Sequence, residues 1–247
     1  FGIMNKPLFL LLFIMIGAQT TVAQTSEIEQ IRAQLLVTKD SLQQVDRLNR
    51  MATLFYEINI DSTFNLAKLA REISDRHNYQ KGKTDAIKNL GISFDVRGNP
   101  QLALRYYFKA YEGYQAMGDH ANSVQMQMNI GMVYQQTGND ARAIELFNEA
   151  LMGSAILAKD SMLAPLLYNY LLMYPKHFGK DSTKYYLSKA KEIASRYKDR
   201  LVLLAIEQLE ANELIEDGRW QEGIERLELA IHKAHEQKLY YASMDMM

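Results

Sequence analysis

Small and apolar residues recur along this chain with helical spacing, in blocks that return every 40 residues. One block carries two such faces in succession, separated by a glycine and an asparagine. The first face comprises Leu90, Gly91 and Phe94, and the second comprises Ala103, Tyr107 and Ala110. Positions three or four residues apart share one side of an α-helix, so each block is predicted to be two helices joined by a turn.

An alanine marks the same position of five successive blocks. These alanines are Ala70, Ala110, Ala150, Ala190 and Ala230. Seven residues before each alanine stands another small residue, namely Thr63, Ala103, Ala143, Thr183 and Gly223. Agreement across all the copies indicates a true internal repeat, and a period of this length is typical of stacked arrays.

Turn residues interrupt the helical pattern inside the blocks. Gly98 ends one helix, Asn99 has the side chain to cap the next, and Pro100 fits a first helical turn, where no N–H is needed. Nearer the N-terminus, Ser41 has the spacing to Gln44 of a capping box.

The repeated helix pair predicts an all-α stack. One pair cannot bury both of its apolar faces, whereas stacking neighbouring pairs buries a continuous core. Gly91 and Ala103 are small, so we expect the two helices of that pair to approach closely there. Long alternating strand patterns rich in Val and Ile are absent from the sequence.

These residues resemble the tetratricopeptide repeat. The match is best at Ile130-Gly131, Tyr134, Gly138, Ala143, Phe147 and Ala150. The resemblance covers roughly Leu48 to Met247 and implies a right-handed α-solenoid of antiparallel helix pairs, a TPR-like superhelix. The family period is about 34 residues, so we expect the extra residues to lengthen the helices near the inter-repeat loops.

Some positions depart from the family pattern. Leu171 replaces the packing glycine of the fourth repeat, where Pro175 also predicts an early end or a kink in the first helix. Glu210 stands where leucine is usual in the fifth repeat. Asn59 begins the turn of the first repeat, which lacks the turn glycine.

The layout along the chain has three parts. Residues 1–23 have the basic start, apolar run and small-residue exit of a secretory signal peptide, with cleavage after Ala23. An uncleaved N-terminal anchor is the alternative. Residues 1–3 precede Met4, the expected initiator. Residues 24–47 form an N-terminal helical segment, and residues 48–247 form five repeats and the start of a sixth.

The spacing predicts that a further first helix begins near Met244. A stack that ends on an uncovered apolar face is incomplete. We therefore expect this chain to be an N-terminal piece of a longer protein, the alternative being a natural end that frays or dimerises.

Composition narrows the chemistry. The chain has 247 residues, a formal net charge of −1 and no cysteine. Near-neutral charge argues against a nucleic-acid surface, and the lack of cysteine excludes disulfides and thiolate ligands. His232 and His235 share a helix without a third ligand nearby, so no metal site is expected. Catalytic groups do not converge in the pattern, and no enzyme activity or cofactor is predicted for this segment.

An asparagine recurs in the first helices at Asn89, Asn129 and Asn169. An amide offers a donor and an acceptor, which together fit the backbone of an extended peptide. The family resemblance implies that use. Two alternatives stay open: the amides are solvated, or they bridge neighbouring helices. The predicted peptide-binding face also contains Lys88, Met128, Met132, Gln136 and Tyr168.

The function predicted from these features is an exported scaffold that binds a protein or peptide segment. Arg47 to Ala70 resembles the first repeat of bacterial sensors in which such repeats precede a histidine kinase or a DNA-binding regulator. That resemblance implies a periplasmic or exported location, with membrane contact only through the signal peptide or a segment beyond residue 247. The alternatives are a scaffold of a secreted or outer-membrane assembly and a cytoplasmic regulator.

Overall fold

A computed structural model describes residues 27–56, 58–155, 157, 163–173 and 179–236. The signal-peptide prediction at residues 1–23 and the sixth helix expected near Met244 lie outside the described residues. The chain divides into two compact units, and the first comprises Glu27–Leu166. The second unit is described over residues 167–173 and 179–236.

Every element of the described residues is a helix. The helices are α1 (27–37), α2 (Ser41–Phe55), α3 (Ile60–Arg76), α4 (Gln80–Val96), α5 (Pro100–Ala116), α6 (His120–Gln136), α7 (Asp140–Ala155), α8 (Leu163–Met173), α9 (Lys180–Tyr197), α10 (Arg200–Glu216) and α11 (Trp220–Glu236). Helices α4, α5 and α6 have 17 residues each. Three-residue connections join them, so the added length of each repeat lies in its helices, as expected.

The helices pack as consecutive pairs. Within the first unit, α2 packs on α3, α4 on α5 and α6 on α7; within the second, α10 packs on α11. We call the first members of these pairs the first helices and the others the second helices. The first pair begins at Ser41, so the boundary drawn between residues 47 and 48 falls inside α2.

Local capping sets the helix starts. Asn99 caps α5, accepting from the backbone N–H of Leu102, and Pro100 occupies the first turn, as the sequence predicts. Gly98 has a φ of +69°, which favours glycine. The predicted capping box at Ser41 is wrong, because Asp40 accepts from the first-turn N–H groups of α2 instead.

The core of the α4–α5 pair corrects one predicted contact. A Cβ atom on Gly91 would lie 2.6 Å from Cδ1 of Tyr107, so the tyrosine ring rather than Ala103 occupies the space beside the glycine. Tyr107 is 2% exposed, and its hydroxyl donates to Asp95 over 3.0 Å. Glycine on one helix therefore makes room for an aromatic ring of its partner.

Charged residues replace part of the apolar packing in the second unit. Glu210 accepts two hydrogen bonds from Lys191, at 2.9 and 3.0 Å, and pairs with Arg226. Lys233 pairs with Glu207 at 2.7 Å. The glutamate at a usual leucine position thus joins α9, α10 and α11 through ion pairs.

Among the described helices, none has a long enough apolar stretch to cross a bilayer.

Candidate functional site

Asn49 and Asn89 connect neighbouring first helices through buried amides. Asn89, on α4, is 1% exposed, and Asn49, on α2, is 5% exposed. The Asn89 Nδ2 group donates to the Asn49 backbone carbonyl over 3.1 Å, and the Asn89 Oδ1 atom accepts from the Thr53 hydroxyl at 3.1 Å. Asn49 donates to the carbonyl of Gly82 over 2.9 Å. The amide of Asn89 therefore bridges helices in this structure.

Asn49 is the member of this series that sequence reasoning missed. It lies 40 residues before Asn89, so the period applied backwards would have found it. The contact between Asn49 and Asn89 also shows that α2 and α4 pack in register. Residues 40 apart thus lie at the same level along α2 and α4.

Asn129, on α6, has a different environment from Asn89. Its side chain is partly exposed, and within the described part of the chain its amide has no hydrogen-bond partner. Asn169 belongs to α8, but its side chain lies outside the described residues. The same residue type at one repeat position is therefore bonded within the protein at Asn89 and available to a ligand at Asn129.

Lys88 adds a positive charge to α4, next to Asn89 in the sequence. The ammonium group is partly buried, and no described carboxylate lies within ion-pair distance of it. Asp85, one turn earlier, is occupied by Lys81 at 2.8 Å and by the Tyr114 hydroxyl at 2.5 Å. Burial lowers the pKa of Lys88, and the nearby carboxylates of Asp85 and Asp119 only partly oppose that shift. Lys88 is thus a desolvated cation without a direct counter-ion in the described structure.

Helix α6 also carries methionines on both sides of Asn129 in the sequence. Met128 is the repeat equivalent of Lys88 and is 9% exposed, whereas Met132 is partly exposed. Gln136, at the C-terminal end of α6, is exposed. Methionine side chains adapt their shape to a bound apolar group. Helices α4 and α6 therefore carry a cation, an amide and a partly exposed methionine, Met132.

Tyr168 belongs to the second unit, where it is partly buried on α8. Within the described residues, no three or more His, Asp or Glu side chains are grouped so that they could hold a metal ion.

The family comparison covers the middle of the chain. Residues 84–151 match the model of the tetratricopeptide repeat family. This segment runs from α4 to α7, the two repeats in which the sequence pattern is best kept. No curated protein matches the chain.

Solved structures with a similar fold include two peptide or factor complexes. One is a Rap protein complexed with Competence and Sporulation Factor, with a TM-score of 0.67, 13% identity, and 92% of this chain and 70% of that chain covered. Another is NprR in complex with its cognate peptide NprX, with a TM-score of 0.64, 16% identity, and coverage of 89% and 66%. At these identities the likeness concerns the fold.

A third similar structure is BtubC from P. vanneervenii, with a TM-score of 0.61, 17% identity and 92% of both chains covered. Together with the paired helices, these similarities confirm the all-α, tetratricopeptide-like fold class.

Proposed function

We propose that this chain is a tetratricopeptide scaffold that binds a protein or peptide segment along α4 and α6. The observation that carries the proposal is that the Lys88 ammonium on α4 and the Asn129 amide on α6 have no ion-pair or hydrogen-bond partner among the described residues. Polar groups without a partner in the free chain can each add a hydrogen bond or an ion pair on binding. The complexes of Rap and NprR support this choice by fold likeness.

The proposed binding mode assigns a task to each group. Asn129 donates to and accepts from the backbone of an extended segment. Lys88 pairs with a carboxylate of that segment, either its C-terminus or an acidic side chain, and Met128 and Met132 pack against an apolar side chain next to it. Asn89 stays bonded between α2 and α4 and does not contact the segment.

The test uses peptides selected against the full chain from a random library with free C-termini. For a selected peptide, Asn129→Ala is expected to weaken binding by about 1–3 kcal/mol, because polar groups of the bound peptide lose their partner. The melting temperature should stay unchanged. Isothermal titration and circular dichroism measure the two quantities. Asn212→Ala, an exposed asparagine of α10, is the matched control.

The opposite pattern would contradict the proposal. If Asn129→Ala lowers the melting temperature and leaves peptide affinity intact, the amide bridges repeats at this position also.

The cellular role proposed here is that of a peptide-responsive regulator. Fold likeness to Rap and NprR supports this alternative over the exported kinase sensor.

Export remains a prediction that rests on the apolar run within residues 1–23. A fusion of residues 1–30 to alkaline phosphatase tests it, since the enzyme gains activity only outside the cytoplasm. An inactive fusion with normal expression would rule out export.

A further inference from the structure

A groove separates the second helices α3 and α5, and none of the residues of the predicted peptide site lines it. It consists of two adjoining cavities of about 430 and 330 Å³, and Arg71 and Tyr106 line both. Volumes of this size are within the range of binding pockets in proteins. We call this feature the α3–α5 groove.

One end of the α3–α5 groove is aromatic. Phe64 and Phe94 meet edge to face with ring centroids 5.8 Å apart, and Phe94 stacks on Tyr106 at 5.2 Å. All of these rings line the smaller cavity. Aromatic floors of this kind bind a further bulky apolar side chain well, because ring edges and faces offer a large contact area.

The other end is positively charged. Arg71, Lys83 and Lys109 line the larger cavity against a single carboxylate, Glu112. Asp75 already pairs with Lys83 at 2.6 Å and lies 3.8 Å from Arg71. Within the described residues, Lys109 has no ion pair. With Asp75 counted, three cations of the larger cavity face two carboxylates, so one positive charge is in excess, and Lys109 is the cation without an ion pair among the described residues.

The next repeat shows that this opening is specific to its sequence. In the next repeat, the residues 40 positions after Lys68 and Arg71 are Phe108 and Tyr111 of α5. Phe108 and Tyr111 are partly buried against the core formed by α5, α6 and α7. The aromatic side chains of α5 thus cover the core of the next repeat. At the equivalent positions of α3, Lys68 and Arg71 leave the α3–α5 groove open.

We propose that the α3–α5 groove is a second docking surface, which takes an acidic protein segment carrying one bulky aromatic residue. The aromatic residue packs on Tyr106 and Phe94, and takes the role that Phe108 and Tyr111 have in the next repeat. Its neighbouring carboxylates pair with Lys109 and Arg71. The surface is separate from Lys88 and Asn129, so the scaffold has two faces for two partners.

The probe for this proposal is a blocked, dye-labelled peptide of glutamates flanking one tryptophan, measured by fluorescence anisotropy with the full chain. Replacing its tryptophan with alanine should weaken binding about tenfold, the equivalent of about 1.4 kcal/mol. Replacing the glutamates with glutamine should also weaken it and reduce its salt dependence. Equal affinity for all three peptides, or no binding of the parent peptide, would overturn the proposal.

Variants taken from the chain itself locate the binding. The double variant Lys68→Phe with Arg71→Tyr copies the next repeat, fills the groove and should abolish probe binding. Lys109→Glu changes only an exposed charge and should weaken probe binding severalfold. The loss of affinity should be larger at low salt, where charges are screened less. Lys189→Glu makes the same charge change on an exposed site of α9 and should have no effect.

Folding and the first site are monitored in parallel. A peptide selected for the face of α4 and α6 should bind the double variant unchanged, which separates the two surfaces. If the double variant loses its helical melting transition, Lys109→Glu decides the matter. Unchanged probe affinity in Lys109→Glu would then overturn the assignment to this groove.

Discussion

At the scale of single residues, packing gives one residue type two roles. Asn89 is hydrogen-bonded to Asn49 and Thr53 of α2, whereas Asn129 has no hydrogen-bond partner among the described residues. Thr53 precedes Asn89 by 36 residues, and the residue in the same relation to Asn129 is Ser93, whose hydroxyl bonds to the Leu90 carbonyl in its own helix. Within the described residues, Asn129 thus lacks the hydroxyl donor that Asn89 has.

Asn89→Ala is expected to lower the free energy of unfolding by about 1–3 kcal/mol, because it leaves buried partners of the amide unsatisfied. Urea unfolding followed by circular dichroism measures the loss. Asn129→Ala serves as the comparison and should unfold like the parent chain. Equal losses in the two variants would mean that both amides bridge helices.

Lys88→Met copies Met128, the equivalent residue of the next repeat, and should stabilise the fold while weakening the binding of carboxylate-bearing peptides. Removing a desolvated charge that lacks a counter-ion gains about 1 kcal/mol, which corresponds to about 2–4 °C in melting temperature for a chain of this size. Differential scanning calorimetry and peptide titration test the two effects. A destabilised variant with intact binding would refute this role for Lys88.

The stability gap between Lys88→Met and the parent chain should depend on pH. Burial lowers the pKa of Lys88 in the folded state, so between that pKa and the ordinary lysine pKa of about 10.4 the unfolded state binds more protons. The contribution of Lys88 to stability therefore rises as pH rises through this window. Urea unfolding of both proteins from pH 7 upwards should show the gap narrowing; a constant gap would contradict the assignment.

At the scale of elements, glycines set how closely the paired helices approach. A Cβ atom on Gly91 would meet the Tyr107 ring at 2.6 Å, whereas on Gly131 it would meet the Phe147 ring at 3.3 Å. The Tyr107 hydroxyl is bonded to Asp95, which holds the ring in place. The α4–α5 pair therefore tolerates less added volume than the α6–α7 pair.

Gly91→Ala should destabilise the chain by about 1–3 kcal/mol, since overpacking outweighs the gain in helix propensity. Gly131→Ala is the matched control and should stay within about 0.5 kcal/mol of the parent, because the smaller clash and the propensity gain offset each other. Thermal melts of the two variants provide the comparison. The reverse order would show that the tyrosine ring moves easily.

At the scale of the whole molecule, the described helices form two compact units, Glu27–Leu166 and the part from Leu167 onwards. In repeat proteins each repeat contacts only its neighbours, so a local defect spreads over a limited distance. The ion pairs of Glu210 and Glu207 lie within the second unit, and the buried asparagine contact lies within the first.

Gly223→Ala should loosen the second unit selectively. The added Cβ would lie 2.5 Å from Ile215 Cγ1 and 2.9 Å from the Ala211 carbonyl oxygen. Hydrogen exchange measured by mass spectrometry should show faster exchange in α10 and α11 and unchanged protection in α4 and α5. Uniformly faster exchange across the chain would show that the two units unfold as one.

The sequence by itself determined the repeat period, the pairing of helices and several helix starts, because these depend on spacing and on contacts between residues close in the chain. Asn99 and Pro100 show this directly, since capping involves only the next few residues. Tertiary structure decided which asparagine is buried, which ring lies beside Gly91 and where the α3–α5 groove opens. Those outcomes depend on side chains some 16 to 40 residues apart that meet only once neighbouring helices stack.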